Sequence, residues 1–337
     1  MSQAWKSALP APPSDMVVGG VPAWGRYAGC VDRIDWDALR GEWSRSWLWR
    51  RFHHKRWQFV GIAARQVYIG LAVVDLGWAT TAFAYVFDRA RREVVIDWHQ
   101  DGLPVLQGHV SDQPVMGTLA WFKGWRSGVL LRQSDDGALQ LRVKIPGMTL
   151  RAELLLDDAA PFLLAVGPIE DGVAHATQKS SALEVDGHVT VRGRRFELGQ
   201  AVACMDSSNG LLARETDWRW ACAHSKELGF NLQQGYFGGQ ENALWLHGRL
   251  IPLGAARFEF DRQQPLAPWR IHTDDGLLDL VFTPEGMRQA DRDLGVVASH
   301  YVQPVGTFEG WVKASPDAEP MPVRNLLGVT EDHQSRW

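Results

Sequence analysis

The chain has little cysteine, with Cys30, Cys204 and Cys222 the only three in 337 residues. An odd number, widely spaced and without a C-x-x-C pair, indicates neither a disulfide framework nor a zinc knuckle. No apolar run approaches the ~20 residues of a membrane-spanning helix. The opening stretch, MSQAWKSALPAPPSDM, lacks the apolar centre of a secretory signal. Charge of neither sign dominates: 35 basic and 39 acidic residues leave a net charge of −4, with no basic tract to follow a phosphate backbone. Nucleic acid is therefore excluded as an expected partner. A Gly-rich phosphate loop, H-E-x-x-H and G-x-S-x-G are all missing. The histidines do not fall at zinc-ligand spacings. Long helical patterns are scarce and no βαβ alternation occurs, which argues against a parallel doubly wound sheet. The expectation is a soluble, cytoplasmic protein with no integral membrane segment, no cofactor and no metal site.

Tryptophan, by contrast, is abundant: 17 residues against 5 tyrosines. Each indole brings a large apolar surface and one N–H that needs a partner. Such residues fill wide cores between sheets, or they line a cavity for a bulky apolar ligand.

The dominant period is two. Val67 to Val74, Thr80 to Phe87 and Val94 to Trp98 read as strands. So do Leu139 to Ile145 and Met148 to Leu154, where apolar and polar residues alternate across a break at Gly147. Five Asp-Gly pairs between positions 101 and 276 mark candidate hairpin turns, because Asp-Gly supplies the φ > 0 backbone of a type I′ turn. Asp186-Gly187, His247-Gly248 and Asp275-Gly276 are read as separating strand pairs. Over Asp35 to Arg51, Trp36, Leu39, Trp43 and Trp47 recur at spacings of three and four, which fits a short amphipathic helix or an irregular aromatic segment; Pro284 to Leu294 is the best late helix candidate. Residues 1–30, rich in proline and glycine, read as an extended arm, ordered only if it docks. A seam is expected at Asp157 to Asp171, DDAAPFLLAVGPIED. It divides a first β-unit over 31–165 from a second over 166–337. Trp269 and Trp311 read as core.

The stretch Met205 to Leu250 concentrates aromatics and unpaired polar groups. Asp206-Ser207-Ser208-Asn209-Gly210 reads as a polar turn. Glu215 and Asp217 alternate with Trp218 and Trp220, so a strand there presents either its carboxylates or its tryptophans to a cavity, not both. A carboxyl in a dry aromatic pocket has a raised pKa and can act as a general acid. The candidate catalytic residues are Asp206, Glu215 and Lys179, the last as an electrostatic neighbour. Candidate binding residues are Trp218, Trp220, Asn231, Glu241, Asn242 and Trp245. His54 and Trp57, in the cationic cluster His53 to Trp57, form a possible rim. Lys179, Asp206, Trp218, Asn231 and Glu241 are expected to converge in one concavity at the mouth of the second unit.

Several motifs carry a resemblance. They are HKRW at His54–Trp57, D-x-G at Asp75, T-x-K at Thr177–Lys179, W-x-W-A at Trp218–Ala221 and ENAL-x-x-x-G-R-L at Glu241–Leu250. Toward the C-terminus come PW at Pro268-Trp269, DL-x-F-x-P at Asp279–Pro284 and G-x-x-E-x-H-x-x-RW at Gly328–Trp337. In these the chain resembles the bacterial family called domain of unknown function 2804, over nearly its whole length. The family's Asp-Trp-Gly-Arg-Gly pattern is replaced here by Asp206-Ser207-Ser208-Asn209-Gly210. More distantly, the layout is similar to the two-domain lipocalin-like proteins, which include carotenoid hydratases, tocopherol cyclases and pericyclase-type enzymes. The resemblance implies an all-β fold of two lipocalin-like antiparallel barrels or sandwiches with few short helices. It also implies an apolar cavity and acid-assisted chemistry on a lipid or isoprenoid. The expected function is a cofactor-independent hydration, isomerisation or cyclisation of a small hydrophobic molecule. The alternative is a non-catalytic lipid or isoprenoid binding protein.

Overall fold

The structure is a computed structural model that describes residues 8–293 and 298–337. Strand outweighs helix by 59% to 3%, in a nearly closed barrel and a half-barrel sheet. The fold is all-β, as the alternating pattern implied, and lipocalin-like, as the resemblance implied.

The larger sheet holds the first half of the chain and winds antiparallel from Glu93–Gly102 through Thr80–Asp88, Val67–Asp75 and His54–Ala63 to Val202–Leu211. It continues through Leu183–Val191 and Met148–Leu155 to an edge at Gly108–Val110. The two ends meet where Gly108 lies against Thr80: a Cβ at Gly108 would sit within 2.4 Å of the threonine hydroxyl oxygen. Glycine is required there because the Thr80 side chain fills the place of a Cβ. The period-two pattern decides the faces. Val60 and Ile62 point into the barrel with Ala203 and Met205, while Phe59 and Cys204 point out, toward the second sheet.

The second sheet runs from Arg249–Pro252 through Leu228–Gly235 and Glu215–His224 to the long strands Met321–Arg336, Ala298–Val312 and Leu278–Asp293, ending at Ala256–Glu259. Ala221, Ala223, Phe230 and Trp269 belong to its own core. Trp218, Trp220 and Cys222 face the other way and meet the barrel through Phe59, Tyr68 and Tyr85. Two sheets thus share a buried aromatic layer.

Several expectations are corrected. Residues 157–171 do not separate the sheets: Leu163–Pro168 lies within the larger sheet, paired with Ala174–Lys179, and the chain changes sheet between Leu211 and Glu215. Prolines and acids there mark a strand approach, not a linker. The N-terminal arm docks, with Gly25–Ala28 pairing alongside Leu163–Pro168. Described residues of the expected helix at Pro284 belong to strand Leu278–Asp293, whose partner Ala298–Val312 satisfies its backbone through a register shift at Pro284/Gly286. Helix over Asp35 to Arg51 shrinks to a 3₁₀ turn at Gly41–Trp43 and the helix Trp47–His53. Trp36 is instead committed to tertiary packing, fully buried with its indole donating to Asn209 Oδ1 at 2.9 Å. Ser46 caps the helix by accepting from the Trp49 amide at 3.2 Å. Asp186-Gly187 is not a turn. Strand Leu183–Val191 runs through it, and Gly187 is needed because a Cβ would lie 2.2 Å from the Arg151 carbonyl oxygen. Trp269 is fully buried, whereas Trp311 is half-buried, with the Lys313 ammonium 5.7 Å from its ring.

Candidate functional site

Asp206-Ser207-Ser208-Asn209-Gly210 is not a turn but the centre of strand Val202–Leu211. The Asp206, Ser208 and Asn209 side chains are buried, and each meets a partner. Asn209 Oδ1 lies 2.7 Å from His54 Nε2 and also takes the Trp36 indole N–H. Asp206 lies directly opposite Lys179 on the neighbouring strand Ala174–Lys179, and Thr177 lies opposite Ser208. Lys179 Nζ is 2.5 Å from Asp206 Oδ2 and 3.2 Å from Glu241 Oε2. The other Asp206 oxygen lies 3.1 Å from the Ser208 hydroxyl and 3.3 Å from that of Thr177. The T-x-K spacing therefore puts two donors on one carboxylate.

Glu241 comes from the loop after Leu228–Gly235. Asn242 fixes that loop: its Oδ1 accepts from the Gln233 amide at 2.7 Å and its Nδ2 donates to the Gly254 carbonyl at 2.9 Å. Asn231 Nδ2 donates to the Glu241 carbonyl at 3.0 Å, and Asn231 Oδ1 accepts from the Trp220 indole at 2.8 Å. Burial pushes the Glu241 carboxyl up, Lys179 opposes this, and the neighbouring Asp206 charge adds to it. Burial works against the Lys179 ammonium, yet Asp206 and Glu241 outweigh it and hold its pKa above the ordinary value. Two carboxyl groups thus share one ammonium, and burial favours the protonated form of Glu241.

These groups border a cavity of about 130 Å³ between the sheets. Its aromatic wall includes Trp57, Phe59, Trp218, Trp220 and Trp337. A second polar group borders it from strand Met321–Arg336. Glu331 accepts from the Trp218 indole and from the Gln303 amide, each at 2.8 Å. His333 Nδ1 is 3.5 Å from Glu331, and its Nε2 lies 2.9 Å from Ser299 Oγ and 2.8 Å from Ser335 Oγ. Tyr236 also lines the cavity; burial, then Glu241, raises its phenol well above the ordinary value, so it stays a neutral donor.

The structure brings Lys179, Asp206, Glu241, Trp57, Trp218 and Trp220 to one cavity, with Asn231 and Asn242 in hydrogen-bonded support. Three expected residues lie elsewhere. Glu215 is exposed at the start of its strand, on the face opposite Trp218 and Trp220, because the strand turns its tryptophans inward. Trp245 is buried away from the cavity, donating to the Pro161 carbonyl at 2.8 Å. It borders a larger cleft of about 450 Å³ that gathers no comparable ion cluster. His54 is spent on Asn209, on the face opposite Trp57's neighbour Phe59. Glu331, His333, Tyr236 and Gln303 went unrecognised. The terminal G-x-x-E-x-H-x-x-RW pattern contains the first two, with alternate residues Glu331 and His333 on one strand face.

The family described as Domain of unknown function (DUF2804) matches residues 19–337. The chain belongs to this family. No curated protein matches its sequence. Solved structures share the family member's fold at low identity. CghA with Sch210972 is 12% identical with a TM-score of 0.59, and the alignment covers 97% of each chain. Kievitone hydratase from Nectria haematococca is 10% identical with a TM-score of 0.55, covering 98% of each. An AttH-like protein from Nitrosomonas europaea is 14% identical with a TM-score of 0.52, covering 83% of this chain and 92% of that one. At such identity the likeness establishes the fold alone.

Proposed function

We propose that the chain is a cofactor-independent enzyme that adds water to, isomerises or cyclises a hydrophobic substrate by acid assistance. The observation that carries this reading is the pairing of Asp206 and Glu241 on the single ammonium of Lys179 beside an otherwise aromatic cavity. A buried carboxyl kept protonated by burial and a like charge can donate its proton to a double bond or carbonyl. The indole faces around the cavity favour the positive charge that then develops, as cation–π contact does. Water, or another double bond of the substrate, supplies the electron pair to that centre. Loss of a proton back to the carboxylate completes the turnover, so the acid is regenerated.

The cavity sets the scale of the reacting group. Its volume of about 130 Å³ is close to the ~150 Å³ that accommodates benzene and below the ~300–1,000 Å³ of drug-sized pockets. It fits a ring or a five-carbon branch, so the remainder of an isoprenoid or lipid would lie beyond it. Kievitone hydratase, a hydratase by name, shares the fold, which agrees with water addition. A binding protein for the same ligand is the second reading; it needs only the aromatic wall and leaves the buried ion cluster without a task.

Native mass spectrometry of protein purified from its own host identifies the ligand. Incubating that ligand in ¹⁸O-labelled water with wild type and Glu241→Gln then tests the chemistry. Labelled, isomerised or cyclised product should form with wild type and fall about 10²–10⁴-fold in the variant, as loss of a general acid does. Return of the ligand unchanged by wild type would leave the binding reading.

A further inference from the structure

Cys204 and Cys222 are far apart in sequence but meet where the two sheets join. Cys204 projects from Val202–Leu211 of the barrel, two residues from Asp206, and Cys222 from Glu215–His224 of the second sheet, two residues from Trp220. Their sulfurs are 3.8 Å apart and unlinked. His224, on the same strand face as Cys222, completes a cluster whose three donor atoms lie within 4.8 Å of one another, all in buried residues. We propose that Cys204, Cys222 and His224 bind a soft metal ion, zinc(II) in the first instance, that ties the two sheets together behind the cavity.

Geometry and satisfaction both point this way. Two thiolates each about 2.3 Å from one tetrahedral zinc stand about 3.8 Å apart, which is the separation seen. The histidine ring has a place made for it. It lies over Gly229 on the neighbouring strand, where a Cβ would come within 2.1 Å of Nδ1. Among the described residues, His224 Nδ1 has no hydrogen-bond partner, and neither does the buried Tyr68 hydroxyl, while Cys204 is hydrogen-bonded to Cys222 and to the His224 ring. That hydroxyl and Cys204 Sγ converge over Gly61, lying 2.4 Å and 3.2 Å from where its Cβ would be. Buried polar groups without partners are uncommon, and an ion is one recognised reason for them. Sulfur and imidazole donors select zinc or copper(I) over magnesium or calcium. Three ligands from two sheets, all buried, make a bracing site. The inference is independent of the reaction proposed above.

Metal analysis of the full chain, purified reduced and anaerobically, tests it, with zinc(II) and cobalt(II) titrations as probes. Wild type and Cys30→Ser, which removes the exposed thiol, should bind one equivalent, and cobalt should give thiolate charge-transfer absorption. Cys204→Ser/Cys222→Ser should lose both, and His224→Gln should weaken affinity at least tenfold. In wild type alone, the urea midpoint should rise with zinc and fall back with chelator, a readout that needs no variant to fold. Wild type binding no more metal than the double variant, an unmoved midpoint, or a mass two hydrogens light from a Cys204–Cys222 disulfide would overturn the proposal.

Discussion

Lys179 and Asp206 face each other in register across adjacent strands, and their charged atoms meet at 2.5 Å with both side chains nearly out of water. Truncating Lys179 to methionine keeps most of its volume and removes the cation that, among the described residues, Asp206 and Glu241 share. Breaking a buried pair from one side costs about 3–5 kcal/mol. The loss should be larger at pH 7 than at pH 5, because burial raises the Glu241 pKa and protonation of that carboxyl as pH falls lessens its need for the ammonium. Urea denaturation at both pH values measures this. Lys179→Met as stable as wild type at pH 7 would show that the cluster is solvated.

Trp218 and Trp220 combine cavity wall and hydrogen-bond donor. Trp220→Phe would leave Asn231 Oδ1, which is buried, without its 2.8 Å donor, and Trp218→Phe would remove a donor from Glu331. Each should cost about 1–3 kcal/mol, the usual penalty for an orphaned buried acceptor. Both should also weaken binding of the ligand found by native mass spectrometry. Thermal melts and ligand titration check the two effects separately. A tryptophan whose loss changes neither is not part of this wall.

Glu215 and Trp245 serve as contrasting controls. Glu215 is exposed and turned away from the cavity, so Glu215→Ala should shift stability by less than about 0.5 kcal/mol and leave turnover intact. Trp245 is 2% exposed and anchored to Pro161; Trp245→Ala should cost about 3–5 kcal/mol with ligand affinity unchanged. Loss of activity in a stable Glu215→Ala protein would return the acid to that carboxylate.

Period-two alternation was enough to place barrel strands such as Val67–Asp75, Thr80–Asp88, Leu139–Ile145 and Met148–Leu155, though not the three long strands of the second sheet, and to pose the choice between carboxylates and tryptophans on Glu215–His224. It could not make that choice, because both faces carry groups able to line a cavity and only packing against Phe59 decides between them. Asp206 and Lys179 were legible as candidate partners, but the place of Asp206 in a strand was not. Their register partnership spans strands separated by Leu183–Val191 in sequence, which local pattern does not encode. Asp186-Gly187 and Asp206 to Gly210 misled for one reason: turn-type residues also serve close backbone approach and buried hydrogen bonding. Glu331 and His333 stood inside a quoted motif, but their arrival at the cavity depends on Met321–Arg336 pairing with Glu215–His224, a contact between distant strands.

His175 supplies a pH dependence. Its ring is fully buried, with Trp57 stacked at 5.5 Å, Phe237 edge-on at 4.6 Å and the Tyr236 hydroxyl 3.5 Å from Nε2. Burial, and then the Lys179 charge, push its pKa down from 6.5 to about 3. A depressed folded-state pKa stabilises the fold above the unfolded value and withdraws that stability as pH falls toward the folded one. Above pH 6.5 the ring is neutral in both states and contributes no slope. Between 6.5 and about 3 the unfolded chain takes up a proton that the folded protein refuses. Stability should therefore decline by up to about 1.4 kcal/mol per pH unit from this group alone. His175→Phe retains an aromatic ring and removes the titration. Carboxyl groups titrate in the same window in both proteins, so the difference between wild type and variant isolates the histidine. Unfolding free energies from pH 7 to pH 4 should show wild type losing ground to His175→Phe as the pH drops, whatever their offset at pH 7. A constant difference over that range would mean that the ring takes up its proton in the folded state and is not sealed from water.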